Sequence, residues 1–263
     1  MEYYGGIQNE EFYFSSARSV GIQMSKHHHS LFEIYYMRDG TCSYLIDNSI
    51  YEVVSGDIVL IPSGVIHKTN YGKNHHTRLL INCSAGYIPD RVKDVIAPNL
   101  YLYRNSNTQK EIEEIFTKIE REIRVDDEYR DGILFSLTQE LFYIIARNHD
   151  KVVKTSNGNT FIEDCLKYVQ ENYSQPITLT DVAKKHSVSA EHLSRMFKRE
   201  TGFGFNEFVN LVRLQKAEEM LKNENGKTIS EIAYACGFND SNYFSVTFKK
   251  TYGKTPSEFK KGL

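Results

Sequence analysis

His27, His29 and Glu33 stand two and four residues apart, and His67 follows about forty positions on. If 27–33 is one strand, alternation places His27, His29 and Glu33 on the same side and turns His28 away. Brought to His67 from another strand, they offer three imidazoles and a carboxylate. Such a set can bind Fe, Mn, Ni or Zn, and open coordination positions would permit oxygen or hydrolytic chemistry. Three readings stand side by side. In the first, His27, His29, Glu33 and His67, with Tyr35 on the same strand, line a small-molecule pocket as hydrogen-bonding groups. In the second, His27, His29, Glu33 and His67 hold a divalent metal. In the third, the pattern is inherited and satisfied structurally. A metal-free pocket is the base expectation.

The elements that must position these residues are short. Leu31 to Met37, Tyr44 to Ile46, Tyr51 to Val54, Ile58 to Ile61 and Leu79 to Ile81 alternate or run apolar, broken at Asp39-Gly40, Asp47-Asn48, Ser55-Gly56 and Ser63-Gly64. Strands at this spacing predict a small β-barrel over about 1–104. The aromatic start (Tyr3, Tyr4, Phe12, Tyr13, Phe14) suits a flap over the pocket or an edge strand. From Thr108 the period lengthens. Ile112, Ile115, Phe116, Ile119 and Ile123, then Ile133, Leu134, Leu137, Leu141, Ile144 and Ile145, predict a helical hairpin over 108–149 turning near Val125-Asp126-Asp127. Its apolar stripes either cap the barrel or meet a second subunit. Residues 151–159 lose all period and gather small polar residues, as an interdomain linker does.

The last hundred residues carry a second chemistry, written twice. Thr178-Leu179-Thr180-Asp181-Val182-Ala183 recurs 50 positions later as Thr228-Ile229-Ser230-Glu231-Ile232-Ala233. Phe197-Lys198-Arg199, Gly202 and Phe208 recur as Phe248-Lys249-Lys250, Gly253 and Phe259, now at an offset of 51. Each copy reads helix, turn, helix, and the second has one extra residue near its turn. In the first, Ser189 is placed to cap a helix with Leu193, Met196 and Phe197 inward and Glu191, Ser194, Arg195, Lys198 and Arg199 outward. In the second, Gly237-Phe238 turns the chain and Asn239 caps. Phe244 and Phe248 point inward, leaving Ser241, Asn242, Ser245, Val246, Lys249 and Lys250 outside. Arg reads guanine edges, while Lys and Arg neutralise phosphates. Between the copies, Asn206 to Lys222 is one helix with Phe208, Leu211, Leu214, Ala217 and Leu221 inward, roughly 25 Å long. It can hold two recognition helices about one DNA turn, roughly 34 Å, apart.

Composition sets the bounds. The 263 residues allow two domains, 1–150 and 160–263, and the 40% hydrophobic and 25% charged fractions fit a soluble chain. A net charge of −2 excludes a globally basic nucleic-acid binder. Residues 160–263 hold 15 Lys and Arg against 13 Asp and Glu, so DNA binding must rest on where charges sit. Cys42, Cys83, Cys165 and Cys236 are scattered, which argues against a disulfide framework or a zinc site. No secretion signal or membrane span is visible, and a cytoplasmic protein is expected.

Residues 160–263 resemble the DNA-binding domain of the AraC family of bacterial transcription regulators. Glu231-Ile232-Ala233, Cys236-Gly237-Phe238, Tyr243-Phe244-Ser245, Phe248-Lys249-Lys250 and Gly253-Lys254-Thr255-Pro256 carry that resemblance. It implies base contacts from Glu191, Ser194 and Arg195 on the first recognition helix and from Ser241, Asn242 and Ser245 on the second. Two positions depart from the pattern. Val246 stands where the family often has Arg, and Ser187 where many relatives have a turn Gly, at a cost of about 1 kcal/mol if left-handed. Gly21, His27, His29, Glu33 and Gly40, then Gly56, Pro62, Gly64 and His67, resemble the paired cupin motifs, although Asn70 comes one place early. The resemblance implies a jelly-roll barrel that senses a sugar or another small metabolite without catalysis. The fold expected is thus α+β: a cupin-like barrel with a helical hairpin, then an all-α domain with two helix-turn-helix units. The partners expected are promoter DNA, a small effector, a second copy of the chain, and RNA polymerase if the protein activates. The competing readings are a metal-dependent cupin oxygenase or isomerase with an accessory DNA-binding domain, and a DNA-binding protein whose barrel only oligomerises.

Overall fold

The computed structural model describes residues 2–8, 11–20, 31–72, 75–96, 102–148, 160–223 and 226–262. They divide into two compact units, one built on strands and one on helices. The linker predicted at 151–159 lies outside the described residues, as do His27 and His29.

The strand unit contains β1 (Glu2–Gln8), β2 (Phe12–Val20), β3 (Phe32–Ile46), β4 (Ser49–Val54), β5 (Ile58–Ile61), β6 (His67–Asn70), β7 (His75–Cys83) and β8 (Leu102–Tyr103). The main sheet runs β1-β2-β7-β3-β5-β8, and β4 and β6 both pair with β3. This is the expected antiparallel cupin-like architecture. The N-terminal aromatics lie in the sheet: among the described residues β1 pairs with β2 alone, which in turn pairs with β7.

β3 corrects one expectation. The chain does not turn at Asp39-Gly40; it continues as a single strand of 15 residues. Its first part pairs with β7 and β5, and Ser43–Ile46 pairs with β6. The register slips between Met37 and Asp39, a bulge that redirects the strand between sheets. Gly40 permits this with φ +96°, and a Cβ there would lie 2.4 Å from the His75 carbonyl oxygen.

Alternation along the strands separates two cores. Phe32, Ile34 and Tyr36 of β3, Ile58 and Leu60 of β5, and Leu79 and Ile81 of β7 face the helices. Tyr35 and Met37, Val59 and Ile61, and Leu80 face the barrel interior instead. The outer face is covered by α1 (Asp90–Ile96), α2 (Gln109–Glu122) and α3 (Arg130–Arg147). The helical hairpin therefore caps the sheet through Ile112, Ile115, Phe116, Ile119, Leu134, Leu141, Ile144 and Ile145. Tyr36 stacks on Phe116 with centroids 4.7 Å apart, and Arg38 bridges Glu113 and Glu120 at 2.8 Å each. Ile133, expected on the buried stripe, is instead exposed together with Tyr129 and Tyr143.

The helical unit contains α4 (Thr160–Asn172), α5 (Leu179–Lys185), α6 (Ala190–Thr201), α7 (Phe205–Asn223), α8 (Ile229–Ala235), α9 (Ser241–Tyr252) and α10 (Pro256–Lys261). α7 spans about 28 Å at 1.5 Å per residue and packs against α4, α6, α8 and α10. It buries Phe205, Phe208, Val209, Val212, Leu214, Ala217 and Leu221, whereas Leu211 is only half-buried. Among the described residues no helix is long and apolar enough to cross a membrane.

Candidate nucleic-acid interface and barrel interior

The first helix-turn-helix begins where Thr178 caps α5 by accepting the Asp181 N–H at 3.2 Å. α5 ends in a turn in which Ser187 adopts φ +57° and the Val188 N–H returns to the Ala183 carbonyl at 3.0 Å. Ser189 caps α6 through the His192 N–H at 3.1 Å, and Gly202 closes it at φ +74°. The second unit repeats this plan. Thr228 and Glu231 form a reciprocal capping box, Gly237 turns at φ +85°, and Phe238 N–H returns to Ala233 at 3.0 Å. Four residues separate α5 from α6 and five separate α8 from α9, which locates the extra residue. It moves the cap: Asp240, not Asn239, accepts the Asn242 and Tyr243 N–H groups at 2.6 and 2.8 Å.

These local signals orient both helices. Leu193 and Phe197 of α6 are fully buried, as are Phe244 and Phe248 of α9, while Met196 is half-buried. Opposite them, Glu191, Ser194, Arg195, Lys198 and Arg199 are all exposed. Arg199 pairs with Glu200 at 2.6 Å, a surface contact that contributes little. On α9, Asn242, Lys249 and Lys250 are exposed and Ser241 and Ser245 half-buried. Ser245 donates to the Ser241 carbonyl at 2.9 Å, which leaves its oxygen able to act as an acceptor. Val246 is 69% exposed. Sequence reading missed Tyr243, exposed beside these residues and hydrogen-bonded to Asn210 at 3.1 Å.

The two units share more than α7. Arg213 of α7 donates to the carbonyls of Tyr173 at 2.8 Å and Gln175 at 2.9 Å, just beyond α4. A Cβ on Gly237 would lie 2.5 Å from that same Tyr173 oxygen. The second turn is thus seated against the end of α4, and only glycine fits.

Inside the barrel, Glu33 and His67 meet, with Glu33 Oε2 3.6 Å from His67 Nε2. Tyr44 donates to Glu33 Oε1 at 2.7 Å, and His67 Nδ1 lies 2.7 Å from the Val65 carbonyl. Burial lowers the His67 pKa, but Glu33 and the hydrogen bonds outweigh it, and the net shift is upward toward imidazolium. Burial, then Glu33, raises the Tyr44 phenol well above its ordinary value, so it remains a neutral donor. Tyr35 is buried nearby, with its hydroxyl 3.2 Å from that of Tyr71. Tyr44 was missed because its partnership with Glu33 depends on how one bent strand folds back across the interior.

Of the proposed metal-ligating set, only Glu33 and His67 are among the described residues. Their facing atoms, Oε2 and Nε2, are those a divalent cation would take, with Tyr44 and Val65 holding the opposite atoms. Among the described residues, no three His, Cys, Asp or Glu side chains gather in a metal-holding group.

Two family models match the chain. An AraC-like ligand binding domain covers residues 11–138, and a helix-turn-helix domain covers 182–262. The HTH-type transcriptional activator RhaR of Mannheimia succiniciproducens is 25% identical over 89% of this chain and 86% of its own. The activator RhaS of Klebsiella pneumoniae is 22% identical over 97% of each. Among solved structures, ToxT from Vibrio cholerae O395 is 20% identical over 97% of this chain and 99% of its own, with a TM-score of 0.41. Paired helix-turn-helix units behind an AraC-like ligand binding domain identify the chain as a DNA-binding transcriptional regulator, and it belongs to the AraC family.

Proposed function

We propose that this regulator reads promoter DNA through Glu191, Ser194 and Arg195 of α6 and Ser241, Asn242 and Ser245 of α9. Lys198, Arg199, Lys249 and Lys250 take the flanking phosphates. The observation that carries this assignment is the duplicated geometry: two capped helices, each with a buried aromatic back and an exposed polar and basic front. The barrel binds a small metabolite, a sugar or a relative of one, among Glu33, Tyr35, Tyr44 and His67, and catalyses no reaction on it. The exposed Tyr129, Ile133 and Tyr143 of the hairpin serve a homodimer contact. As an activator the protein would also meet RNA polymerase. The effector works only by preferring one arrangement of the chain over another, since equal affinity shifts nothing.

The test is a DNA-binding titration of the full chain on promoter fragments, with and without candidate metabolites. Sequence-specific binding that an effector changes, with no turnover of that effector, supports this reading. Turnover dependent on Glu33 and His67 would overturn it in favour of an enzyme. Stoichiometric Fe, Mn, Ni or Zn binding that His27→Ala and His67→Ala abolish would replace the hydrogen-bonding pocket with a metal site.

A further inference from the structure

Arg78 is a charge inside the barrel that the regulator's architecture does not explain. It lies on β7 opposite Met37 of β3 and Ala17 of β2, on the same face as interior Leu80. Its relative exposure is 3%, yet its one hydrogen bond goes to a neutral hydroxyl, Ser15 Oγ, at 2.8 Å. Ser15 is itself fully buried.

The buried carboxylates of the strand unit, Glu33 and Asp57, are accounted for among the described residues. Glu33 faces His67 at 3.6 Å and takes the Tyr44 hydroxyl. Asp57, also buried, is gripped by Arg104 at 2.6 and 2.7 Å. Among the described residues no carboxylate pairs with Arg78, and the nearby Tyr71 phenol is raised by burial and carries no charge. A guanidinium presents five N–H donors in a planar fork, and burying it against a single hydroxyl is costly. An isolated buried charge of this kind is stabilised by a counter-ion that binds both its charge and its fork, and a bidentate oxyanion does so.

The opposite end of the same face supplies the remaining contacts. Asn82, four residues along β7 and roughly 13 Å from Arg78, pairs with Glu33 on β3 and Tyr13 on β2. Its buried Oδ1 has no hydrogen-bond partner. The interior thus has a cationic end and a hydrogen-bonding end, with Tyr35 and Leu80 between them.

We propose that the effector of this protein carries an oxyanion, a carboxylate or a phosphate, seated on Arg78 and Ser15, with hydroxyl groups toward Glu33, Tyr44 and Asn82. This rests on the reading of the barrel as the effector site, and it narrows the class to acidic or phosphorylated sugar-sized metabolites.

The experiment is thermal unfolding of the full chain and of Arg78→Met and Arg78→Lys. The probes are glucose, gluconate, glucuronate, glucose 6-phosphate, inorganic phosphate and a total small-metabolite extract. Without ligand, Arg78→Met should match or exceed the wild type in Tm, because it removes a lone buried charge. At least one anionic probe should raise the wild-type Tm while glucose does not, and the carboxylate and phosphate arms show which oxyanion is used. Arg78→Met should weaken that binding by about 30-fold or more, and Arg78→Lys should retain part of it. If the extract or glucose shifts the wild type and Arg78→Met equally, the oxyanion is wrong and the effector site stands. If Arg78→Met is less stable than the wild type and no probe, the extract included, shifts either chain, Arg78 is structural and both readings fall.

Discussion

Ser187 and Gly237 occupy the same left-handed position in the turns of the two helix-turn-helix units, at φ +57° and +85°. The serine pays the steric cost of that conformation, whereas glycine does not. Ser187→Gly should therefore stabilise the helical unit by up to about 1 kcal/mol, part of the gain being returned as unfolded-chain entropy. Gly237→Ala should cost more than about 2 kcal/mol, because strain adds to the clash with the Tyr173 carbonyl 2.5 Å away. Denaturant unfolding of both variants checks the sign and the order.

The two reading faces differ in chemistry. Arg195 is matched in the second unit by Val246, which is 69% exposed. Arg195→Ala should lose about 1–3 kcal/mol of specific binding and relax one base position, while Lys249→Ala should weaken all sequences alike and lower the salt slope by about 1. Binding titrations at several salt concentrations, against a set of single-base operator variants, separate the two effects.

The bulge in β3 should tolerate no side chain at Gly40. Gly40→Ala places a methyl 2.4 Å from the His75 carbonyl oxygen at φ +96° and should cost more than about 1 kcal/mol. Phe116→Ala, which removes the ring stacked on Tyr36, should cost about 3–5 kcal/mol. Calorimetry of the full chain should show the loss in the barrel transition and leave that of the helical unit in place.

Acid should loosen the helix starts in a defined window. Glu231 and Glu258 are held below the ordinary carboxylate pKa of 4.5, chiefly by the backbone N–H groups of Thr228 and Thr255. A depressed folded pKa means stability that is present above 4.5 and lost as pH falls through the folded value. Thr228→Ala and Thr255→Ala should lower Tm at pH 7. Their deficit should shrink as pH falls below 4.5 and through the lowered folded pKa, where the wild-type boxes themselves become protonated. An unchanged deficit across that range would remove the carboxylates from the account.

What could be read in the sequence tracks how local each signal is. Caps, turn residues and aromatic spacing lie within a few positions of one another, so α5, α6, α8 and α9 were legible. Even there, Asn239 and Asp240 are both good cap formers, and only the longer turn chose the second. The barrel was legible as strands but not as pairings. Asp39-Gly40 reads identically as a turn and as a bulge, and the register with β7 decides between them. Glu33 was visible as a candidate, whereas Tyr44, Arg78 and Asn82 were not, because each reaches the interior only through long-range pairing. The hairpin's periodicity was plain, yet the surface it covers depends on the sheet beneath it.

Two recognition faces of one chain are expected to enter successive major grooves of a promoter. Methylation-interference footprinting of the full chain on a bound promoter tests it most directly. Interference is expected at major-groove positions in two clusters on one face of the duplex, about 10 base pairs apart. One cluster should be lost with Arg195→Ala and the other with Asn242→Ala. A single cluster, or a footprint that neither substitution changes, would contradict it.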